Sequence, residues 1–374
     1  MKKATTGLLL IFLISCGSQS APEPPETASE ALNEFLRGAS FQVIDLDAQP
    51  VDTIYITNDM ILNEDVFLDD QVYLNSPTKI ILFQNYLILN DFMSPNVIAI
   101  DPQTGVPAFR IGGEGRGPGE FVQPFEIMSD GEHLYIHDTS MRRFSRFDHN
   151  FQFQKNFSFE PLSGTPNAVR AAMNSDHIVY VNHLSSRLIS ARENHSMLEV
   201  ATISKPDSVV KHLMPRVIPS GMQPGAHNNV HFTLSHDNRL AALYAGLPYL
   251  FLFDQFEHLN TVQFQTSYID TLNNPSLAPF QPRGNDGERV SSLYNSQLYL
   301  PNGELLLQTR GGIFRFRIED DGHTRLLANY YLKEEGYDGT GIRAIRGITY
   351  NPNDPLEIFS VGWEQIYKFR LPEI

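Results

Sequence analysis

The sequence predicts an all-β body built from a repeated unit of short strands. Short segments rich in β-branched and aromatic residues recur along the chain, and turn signals such as Asp101–Gly105 and Pro301–Gly303 separate them. No amphipathic helix of about ten residues recurs between these segments, which disfavours a parallel sheet with crossover helices. The clearest strand segments are His133–His137, Val179–Asn182, Tyr249–Phe253, Ile313–Arg317 and Gln365–Arg370.

The number of repeated units predicts the architecture. A strand that ends in an acidic or polar turn recurs at intervals of about 45 to 65 residues, the spacing of a four-stranded propeller blade. Six such units predict a six-bladed β-propeller, with seven blades or a pair of β-sandwiches as alternatives. The six strands are Val97–Asp101, Phe144–Asp148, Leu188–Arg192, Leu250–Asp254, Ile313–Arg317 and Ile366–Arg370.

The last unit predicts how the ring closes. From about Gly341 to the C-terminus it offers only three strands, one fewer than a complete blade. An N-terminal segment, either Phe41–Asp45 or Thr53–Thr57, could supply the missing strand and cover an exposed sheet edge. We therefore expect strand exchange between the two ends of the chain.

Composition and charge exclude several classes of protein. Of the 374 residues, 41% are hydrophobic, enough to bury a large core. The formal net charge is -15, from 28 Lys+Arg and 43 Asp+Glu, so the chain repels phosphate backbones and we expect no nucleic-acid partner. The single cysteine excludes an intramolecular disulfide and a four-cysteine zinc site.

The N-terminus carries a targeting segment. Lys2 and Lys3 precede the apolar run Leu8–Ile14, which has the length of a secretory signal and is too short to span a bilayer. The run ends in Leu13-Ile14-Ser15-Cys16, which resembles a bacterial lipobox. That resemblance implies cleavage before Cys16 and acylation of Cys16, and two or more acyl chains on one residue anchor a protein stably. Gly17, rather than an aspartate, follows the cysteine and favours the outer membrane, with the protein facing either the periplasm or the cell surface.

A tether and one short helix follow the lipobox. The polar, proline-rich stretch of residues 17–26 cannot form a core and predicts an extended tether. Thr27 and Glu30 form a capping-box pattern, Leu32, Phe35 and Leu36 have helical spacing, and Gly38 ends the helix. We expect this helix to pack on the body; an amphipathic helix at the membrane surface is the alternative. The predicted organisation is a signal peptide at 1–15, a lipidated tether with a short helix at 16–38, and the propeller at 39–374.

A family resemblance rests on one stretch of the chain. It comprises Gly112–Phe121, Pro124, Asp130–Asp138, Arg143 and Phe147-Asp148. This pattern resembles the NHL repeat and the related TolB-like, six-bladed propeller lipoproteins of Bacteroidetes-type bacteria. The resemblance implies the fold; because propellers serve scaffolds, receptors and enzymes, it does not imply one function. The later units lack the glycine-rich stretch, and His137 stands where the repeat commonly has a small or apolar residue.

The glycine-rich stretch has two interpretations. Closely spaced glycines can present backbone N–H groups to a phosphate, but a P-loop needs a Lys-Ser/Thr pair that opens a helix, and a dinucleotide site needs a βαβ unit. Pro118 and Glu120 occupy this stretch and strands flank it. We therefore predict a tight junction between two blades, with Gly115, Gly117 or Gly119 at positive φ.

Two arginines are the candidate ligand-binding residues. An enzyme of the propeller lactonase type needs several oxygen or imidazole ligands in one channel, typically from the starts of the innermost strands. The sequence places these starts at Phe125–Ile127, Val169–Ala171, His231–Thr233, Ser291–Leu293 and Ile345–Gly347. These positions supply one carboxylate, one histidine and two arginines. Two cations oppose a metal ion, whereas Arg170 and Arg346 can make bidentate contacts with an anionic ligand.

The sequence offers no strong metal or catalytic motif. His227, His231 and His236 lie close together, but no carboxylate stands among them to complete a site, and exposed loop histidines are the simpler interpretation. There is no Gly-x-Ser-x-Gly nucleophile elbow. We therefore predict no cofactor, no metal site and no catalytic residue.

Three functional classes remain open. The first is a membrane-tethered binding or scaffold module whose loops or channel engage a protein, a glycan or a small molecule. The second is a metal-dependent propeller hydrolase or lyase similar to the six-bladed lactonases. The third is a structural component of the cell envelope.

Overall fold

Six β-sheets account for the body of the protein. The computed structural model describes residues 32, 35–37, 40–62, 77–91, 95, 97–157, 170–181, 196–215, 230–244, 247–266, 294–309, 312–334, 346–362 and 365–374. Within these ranges the sheets have three to five strands each, and a two-stranded ribbon lies between the first and second sheets. Cys16, Leu188–Arg192 and His227 fall outside the described residues.

The strands follow one another along the chain in the order expected for successive blades. Two strands, β1 (Phe41–Asp45) and β2 (Val51–Ile56), precede the first blade. The first blade comprises β3 (Pro77–Phe83), β4 (Tyr86–Asp91), β5 (Val97–Ile100) and β6 (Pro107–Arg110), and the ribbon comprises β7 (Gly113–Glu114) and β8 (Glu120–Phe121). The second comprises β9 (Pro124–Ser129), β10 (Leu134–Asp138), β11 (Arg143–Phe147) and β12 (Phe153–Phe157), and the third β13 (Ala171–Met173), β14 (His177–Val181), β15 (Ser196–Thr202) and β16 (Lys205–Pro215).

The remaining three blades complete the ring. The fourth comprises β17 (Val230–Leu234), β18 (Arg239–Tyr244), β19 (Tyr249–Asp254) and β20 (Glu257–Gln265). The fifth comprises β21 (Tyr294–Tyr299), β22 (Glu304–Thr309), β23 (Ile313–Ile318) and β24 (Thr324–Glu334), and the sixth β25 (Gly347–Asn351), β26 (Asp354–Val361) and β27 (Ile366–Arg370). Consecutive strands within each blade pair antiparallel.

Buried side chains between neighbouring blades hold the ring together. Six clusters of buried apolar residues occur among the described residues, and each lies between two successive blades. The last joins Ile80 and Leu89 of the first blade to Phe359 and Ile366 of the sixth. The ring is therefore closed by apolar packing. The chain is a six-bladed β-propeller.

The N-terminal strands wrap around the outside of three blades. β1 pairs in parallel with β20, the outer strand of the fourth blade, and β2 pairs in parallel with β24, the outer strand of the fifth. A short 3₁₀ helix at Leu46–Ala48 joins them, and a second at Asn58–Met60 follows β2. Further along, Ile61 forms a β-bridge with Tyr367, and the Leu62 N–H donates to the Ile366 carbonyl at 2.9 Å.

This arrangement corrects the predicted closure. The sixth blade has the three strands that the sequence predicts, but neither Phe41–Asp45 nor Thr53–Thr57 completes it. The first segment is instead a fifth strand on the outer edge of the fourth blade, and the second is a fifth strand on the outer edge of the fifth blade. Among the described residues, Ile61 and Leu62 make the contacts at the outer edge of β27, since the chain reaches that blade after crossing the fourth and fifth.

The short N-terminal helix packs on the body. Leu32 and Phe35–Arg37 are helical, and Leu32 and Leu36 are buried in the cluster between the third and fourth blades. The Phe35 ring lies 5.6 Å from the ring of Phe251 and 5.0 Å from that of His258. At these residues the predicted helix is confirmed, and its apolar face is covered by the propeller. No helix in the described part of the chain has the length and apolar character needed to cross a membrane.

Candidate functional site

The first strands of the blades line the axis of the propeller. Each contacts the first strand of the next blade, in the order β3, β9, β13, β17, β21, β25 and back to β3. The starts of β3 and β9 lie together, because Thr78 near the start of β3 donates to the carbonyl of Phe125 in β9 at 3.4 Å. Contacts of Lys79 with Ala171 and of Arg170 with His231 continue this end of the channel to β13 and β17.

Equivalent positions on these strands can be aligned through their hairpins. In the second to fifth blades, a backbone N–H donates across the turn that follows the first strand, and the donors are Asp130, Asn174, Ser235 and Leu300. The residue four positions before each donor is Glu126, Arg170, His231 and Ser296, respectively. The short turn after Phe83 places Lys79 at the equivalent position of the first blade. We call Lys79, Glu126, Arg170 and His231 the channel belt.

Direct contacts connect the first members of the belt. The Lys79 ammonium group donates to the Glu126 carboxylate and, at 3.3 Å, to the carbonyl of Ala171. The Glu126 side chain is buried, whereas that of Lys79 is 32% exposed. Lys79 thus spans the first three blades and leaves part of its ammonium-bearing side chain open to solvent.

The second half of the belt joins an arginine to a neutral histidine. A terminal nitrogen of Arg170 donates to Nδ1 of His231 at 2.6 Å. Burial, reinforced by the charge of Arg170, holds the pKa of His231 well below its usual value. His231 is therefore neutral with its proton on Nε2, and that buried donor has no hydrogen-bond partner among the described residues.

Glu126 connects the two halves electrostatically. Burial lowers the pKa of Arg170, and the negative charge of Glu126 partly offsets this effect. Arg170 remains a cation because an arginine titrates far above neutral pH. The belt therefore contains two positive charges, one negative charge and one neutral donor.

Arg346 lies immediately before β25, at the same end of the channel. Its backbone N–H donates to the carbonyl of Val361 at 2.8 Å, much as the Val181 N–H donates to the carbonyl of Arg170 at 3.0 Å. Burial lowers the pKa of Arg346, and the buried Asp91 carboxylate partly offsets the effect. Arg346 thus borders the first blade, where the belt begins.

Sequence reasoning identified three of these side chains and missed one. Glu126, Arg170 and His231 stand at the starts of inner strands as predicted. Lys79 is absent from the predicted set because the repeat is recognisable in the first blade only at its third strand, β5. The predicted start at Ser291–Leu293 lies outside the described residues, and β21 begins at Tyr294.

His231 and His236 do not converge on one site. His231 lies near the start of β17, whereas His236 is exposed in the turn beyond its other end. Among the described residues no group of three or more His, Cys, Asp or Glu side chains is placed to hold a metal ion.

The glycine-rich stretch forms a closed junction. The Gly115 N–H donates to the carbonyl of Phe121 at 3.0 Å, and the Gly117 N–H donates to the Glu120 carboxylate at 2.6 Å. Arg143 donates to three carbonyls of the same loop, at 2.5 to 3.2 Å. These N–H groups are used within the loop, which opposes a phosphate cradle. Gly115 and Gly119 have positive φ, whereas Gly117 does not.

An aspartate holds the junction to the second blade. One carboxylate oxygen of Asp138 accepts from the backbone N–H groups of Val122 and Gln123, at 2.6 and 3.0 Å. Its other oxygen accepts from the N–H of Met141 at 2.9 Å. The stretch that resembles an NHL repeat is thus a hydrogen-bonded corner between the first two blades.

Comparison with known proteins supports the propeller assignment. A profile of the DUF5128 family, described as a 6-bladed beta-propeller, matches residues 68–240. The matched region includes the first three blades and the channel belt. Among curated proteins the sequence has no match.

Several solved structures match the chain at low sequence identity. A member of the duf4221 family from Bacteroides vulgatus is 11% identical, with a TM-score of 0.53 over 80% of this chain and 94% of that one. U3-55K is 10% identical, with a TM-score of 0.49 over 83% and 98%. A Bacteroides fragilis protein described as exported is 12% identical, with a TM-score of 0.46 over 78% and 80%. At these identities the likeness concerns the fold alone.

Proposed function

We propose that this protein is a membrane-anchored, extracytoplasmic lipoprotein whose propeller acts as a binding or scaffold module, with an anionic ligand at the channel belt. The observation that carries the proposal is the excess of positive charge in the belt. Lys79 and Arg170 face a single carboxylate, in a chain whose overall charge is -15. A local cationic site in an acidic protein is suited to recognising an anion.

The proposed location rests on the N-terminal sequence. Cys16 ends a signal-like apolar run, and a proline-rich tether separates it from the helix at Leu32. Because that helix packs between the third and fourth blades, the tether would leave the propeller there. The lipid would anchor the protein, most simply in the outer membrane of a bacterial envelope, while the channel stays free to meet a small molecule, a glycan or a protein segment.

The alternative function is a metal-dependent propeller hydrolase or lyase of the lactonase type. It would draw on Glu126 and His231, the carboxylate and imidazole of the belt. In this structure Lys79 binds the first and Arg170 binds the second, and a divalent cation would have to displace both. A stoichiometric divalent ion in the purified protein, together with chelator-sensitive turnover of a lactone or ester, would favour this alternative.

Anchoring can be tested separately from binding. In Cys16→Ala the acylated thiol is lost, so we expect release from the membrane fraction and no labelling by a fatty-acid analogue. Unchanged labelling of this variant would contradict the lipoprotein assignment.

Binding at the belt can be tested with a panel of anions. We expect at least one carboxylate, phosphate or sulfate compound to raise the melting temperature of the full-length, detergent-solubilised protein. The effect should persist in the control Arg325→Gln, whose side chain is exposed on β24, and disappear in Arg170→Gln. Equal shifts in both variants would place the anion elsewhere.

A further inference from the structure

The net positive charge of the channel belt matches a ligand that carries one negative charge. Lys79 and Arg170 contribute two positive charges, Glu126 contributes one negative charge, and His231 is neutral. Arg346 and the buried Asp91 nearby cancel each other. Counted over the described residues, the site therefore has a net charge of about +1, and a bound dianion would leave an unpaired charge in a partly buried place, which is costly.

Arg170 retains hydrogen-bonding capacity. A guanidinium group has five N–H donors, and in the described structure the Arg170 side chain bonds only to His231. Its other donors are therefore uncommitted among the described residues, and their planar arrangement matches two oxygens of one carboxylate.

His231 contributes an unpartnered neutral donor beside the arginine. The residue is only 6% exposed, and its Nε2 lacks a hydrogen-bond partner among the described residues. Leaving such a donor unpaired costs free energy that a ligand oxygen, or an ordered water attached to it, would recover. A neutral donor adds a hydrogen bond without adding charge, which again suits a monoanion.

We propose that the channel belt binds one carboxylate group, that of a small organic acid or an acidic sugar, with Arg170 as the bidentate contact. This inference rests on the proposed anion-binding function and narrows it. Lys79 supplies the second positive charge, and Glu126 sets the preference for a single negative charge by neutralising one of the two cations.

Titration calorimetry on the full-length, detergent-solubilised protein tests the proposal. The probes are three monocarboxylates, namely D-glucuronate, pyruvate and benzoate, together with inorganic phosphate, sulfate and D-glucose as the uncharged counterpart of glucuronate. We expect at least one monocarboxylate to bind about tenfold or more tightly than phosphate or sulfate at neutral pH, and we expect no binding of glucose.

Two variants separate charge from geometry. Arg170→Lys keeps the charge and removes the planar fork, so carboxylate affinity should fall about tenfold. Glu126→Gln raises the net charge of the belt, so phosphate and sulfate should gain about tenfold relative to the monocarboxylate. Arg325→Gln is the control, and melting temperatures identify any variant that fails to fold.

The outcomes distinguish the narrow proposal from the broad one. If phosphate or sulfate binds more tightly than every monocarboxylate and Arg170→Lys weakens it, the carboxylate proposal is wrong and anion binding at the belt stands. An unchanged anion preference in folded Glu126→Gln would also overturn the carboxylate proposal. If no anion in the panel binds the wild-type protein, both proposals fail.

Discussion

Two charged clusters in this propeller use similar residues in different ways. In the fifth blade, Arg315 donates from Nε to one oxygen of Glu304 at 2.6 Å, and Arg317 donates to the other oxygen at 2.8 Å. Arg315 also donates to the carbonyl of Pro372 at 2.8 Å. We call this group the C-terminal clamp. It ties the end of the chain to the fifth blade, and both oxygens of its buried carboxylate are paired.

The channel belt lacks this closure. Its one carboxylate is bound by Lys79, its arginine bonds to a neutral imidazole, and a buried imidazole donor has no partner among the described residues. A buried charge network that is fully paired makes a structure rigid and is costly to break, whereas one that is only partly paired is costly to maintain. The clamp is therefore paired within the protein, whereas the proposed ligand would complete the pairing of the belt.

Breaking the clamp should give the largest loss of stability. Glu304→Gln removes a carboxylate that two arginines share and leaves buried Arg315 without its counter-charge, so we expect the free energy of unfolding to fall by about 3 kcal/mol. Urea unfolding measures this change. The control Glu319→Gln, an exposed partner of Arg325 at 3.9 Å, should cost less than about 1 kcal/mol.

Lowering the pH should reduce the free energy of unfolding through His137, a buried histidine on the strand next to Glu126. His137 pairs in register with Glu126, and burial lowers its pKa to about 4 although Asp138 opposes the shift. The unfolded chain binds this proton near the ordinary value of 6.5, so stability falls as the pH drops from 6.5 toward 4. At pH 5 this histidine alone should account for a loss of about 2 kcal/mol, since each pH unit counts for about 1.4 kcal/mol.

Replacing His137 should flatten that part of the pH profile. We expect His137→Leu to lose about 2 kcal/mol less than the wild type between pH 7 and 5, because one linked proton is gone. Burial also lowers the pKa of His231 and His258, so these residues contribute equally to both profiles. His149→Leu removes an exposed histidine and is the control. Parallel profiles of wild type and His137→Leu would show that another group is responsible.

The C-terminal clamp should lose its contribution to stability at a lower pH. Burial alone would raise the pKa of Glu304, but hydrogen bonds from Arg317 and Arg315 outweigh burial and hold it below 4.5. Its contribution to stability is present above 4.5 and is lost as the pH falls through the lowered pKa. The Glu304→Gln and wild-type stabilities should therefore converge in acid, and a constant difference down to strongly acidic pH would contradict this.

The glycine junction resembles the clamp in being closed, and a smaller effect tests it. Gly119 has a φ of +73°, and a Cβ there would lie 3.1 Å from Phe153. Gly119→Ala should therefore cost about 1 kcal/mol through backbone strain. Gly113→Ala is the matched control, since no atom lies within 4 Å of its added carbon. Equal melting temperatures of the two variants would argue against a strained junction.

Replacing the belt arginine should give the smallest change in stability. Arg170→Met removes a buried cation that has no closed network around it, so we expect a change within about 1 kcal/mol. Arg315→Met, the equivalent change in the clamp, should cost about 3 kcal/mol. Similar losses in the two variants would erase the distinction between the clamp and the belt.

Local sequence patterns predicted most of the strands. Apolar segments followed by polar turns marked the third strands of five blades, where Asp101, Asp148 and Asp254 follow or end strands that are buried on both faces. The pattern at Leu188–Arg192 stays a prediction, while the third strand of that blade is Ser196–Thr202. The helix at Leu32 and Phe35 was predictable because its spacing and caps are local features.

The sequence by itself determined the repeat, the all-β class and two of the belt's charged groups, because strand periodicity and turn chemistry depend on residues close together in the chain. Only the tertiary structure decided that β1 and β2 cover the fourth and fifth blades, and that Lys79 reaches Glu126 and Ala171. Those contacts join residues far apart in sequence. Their partners are set by the order in which the blades close the ring, and no local pattern records that order.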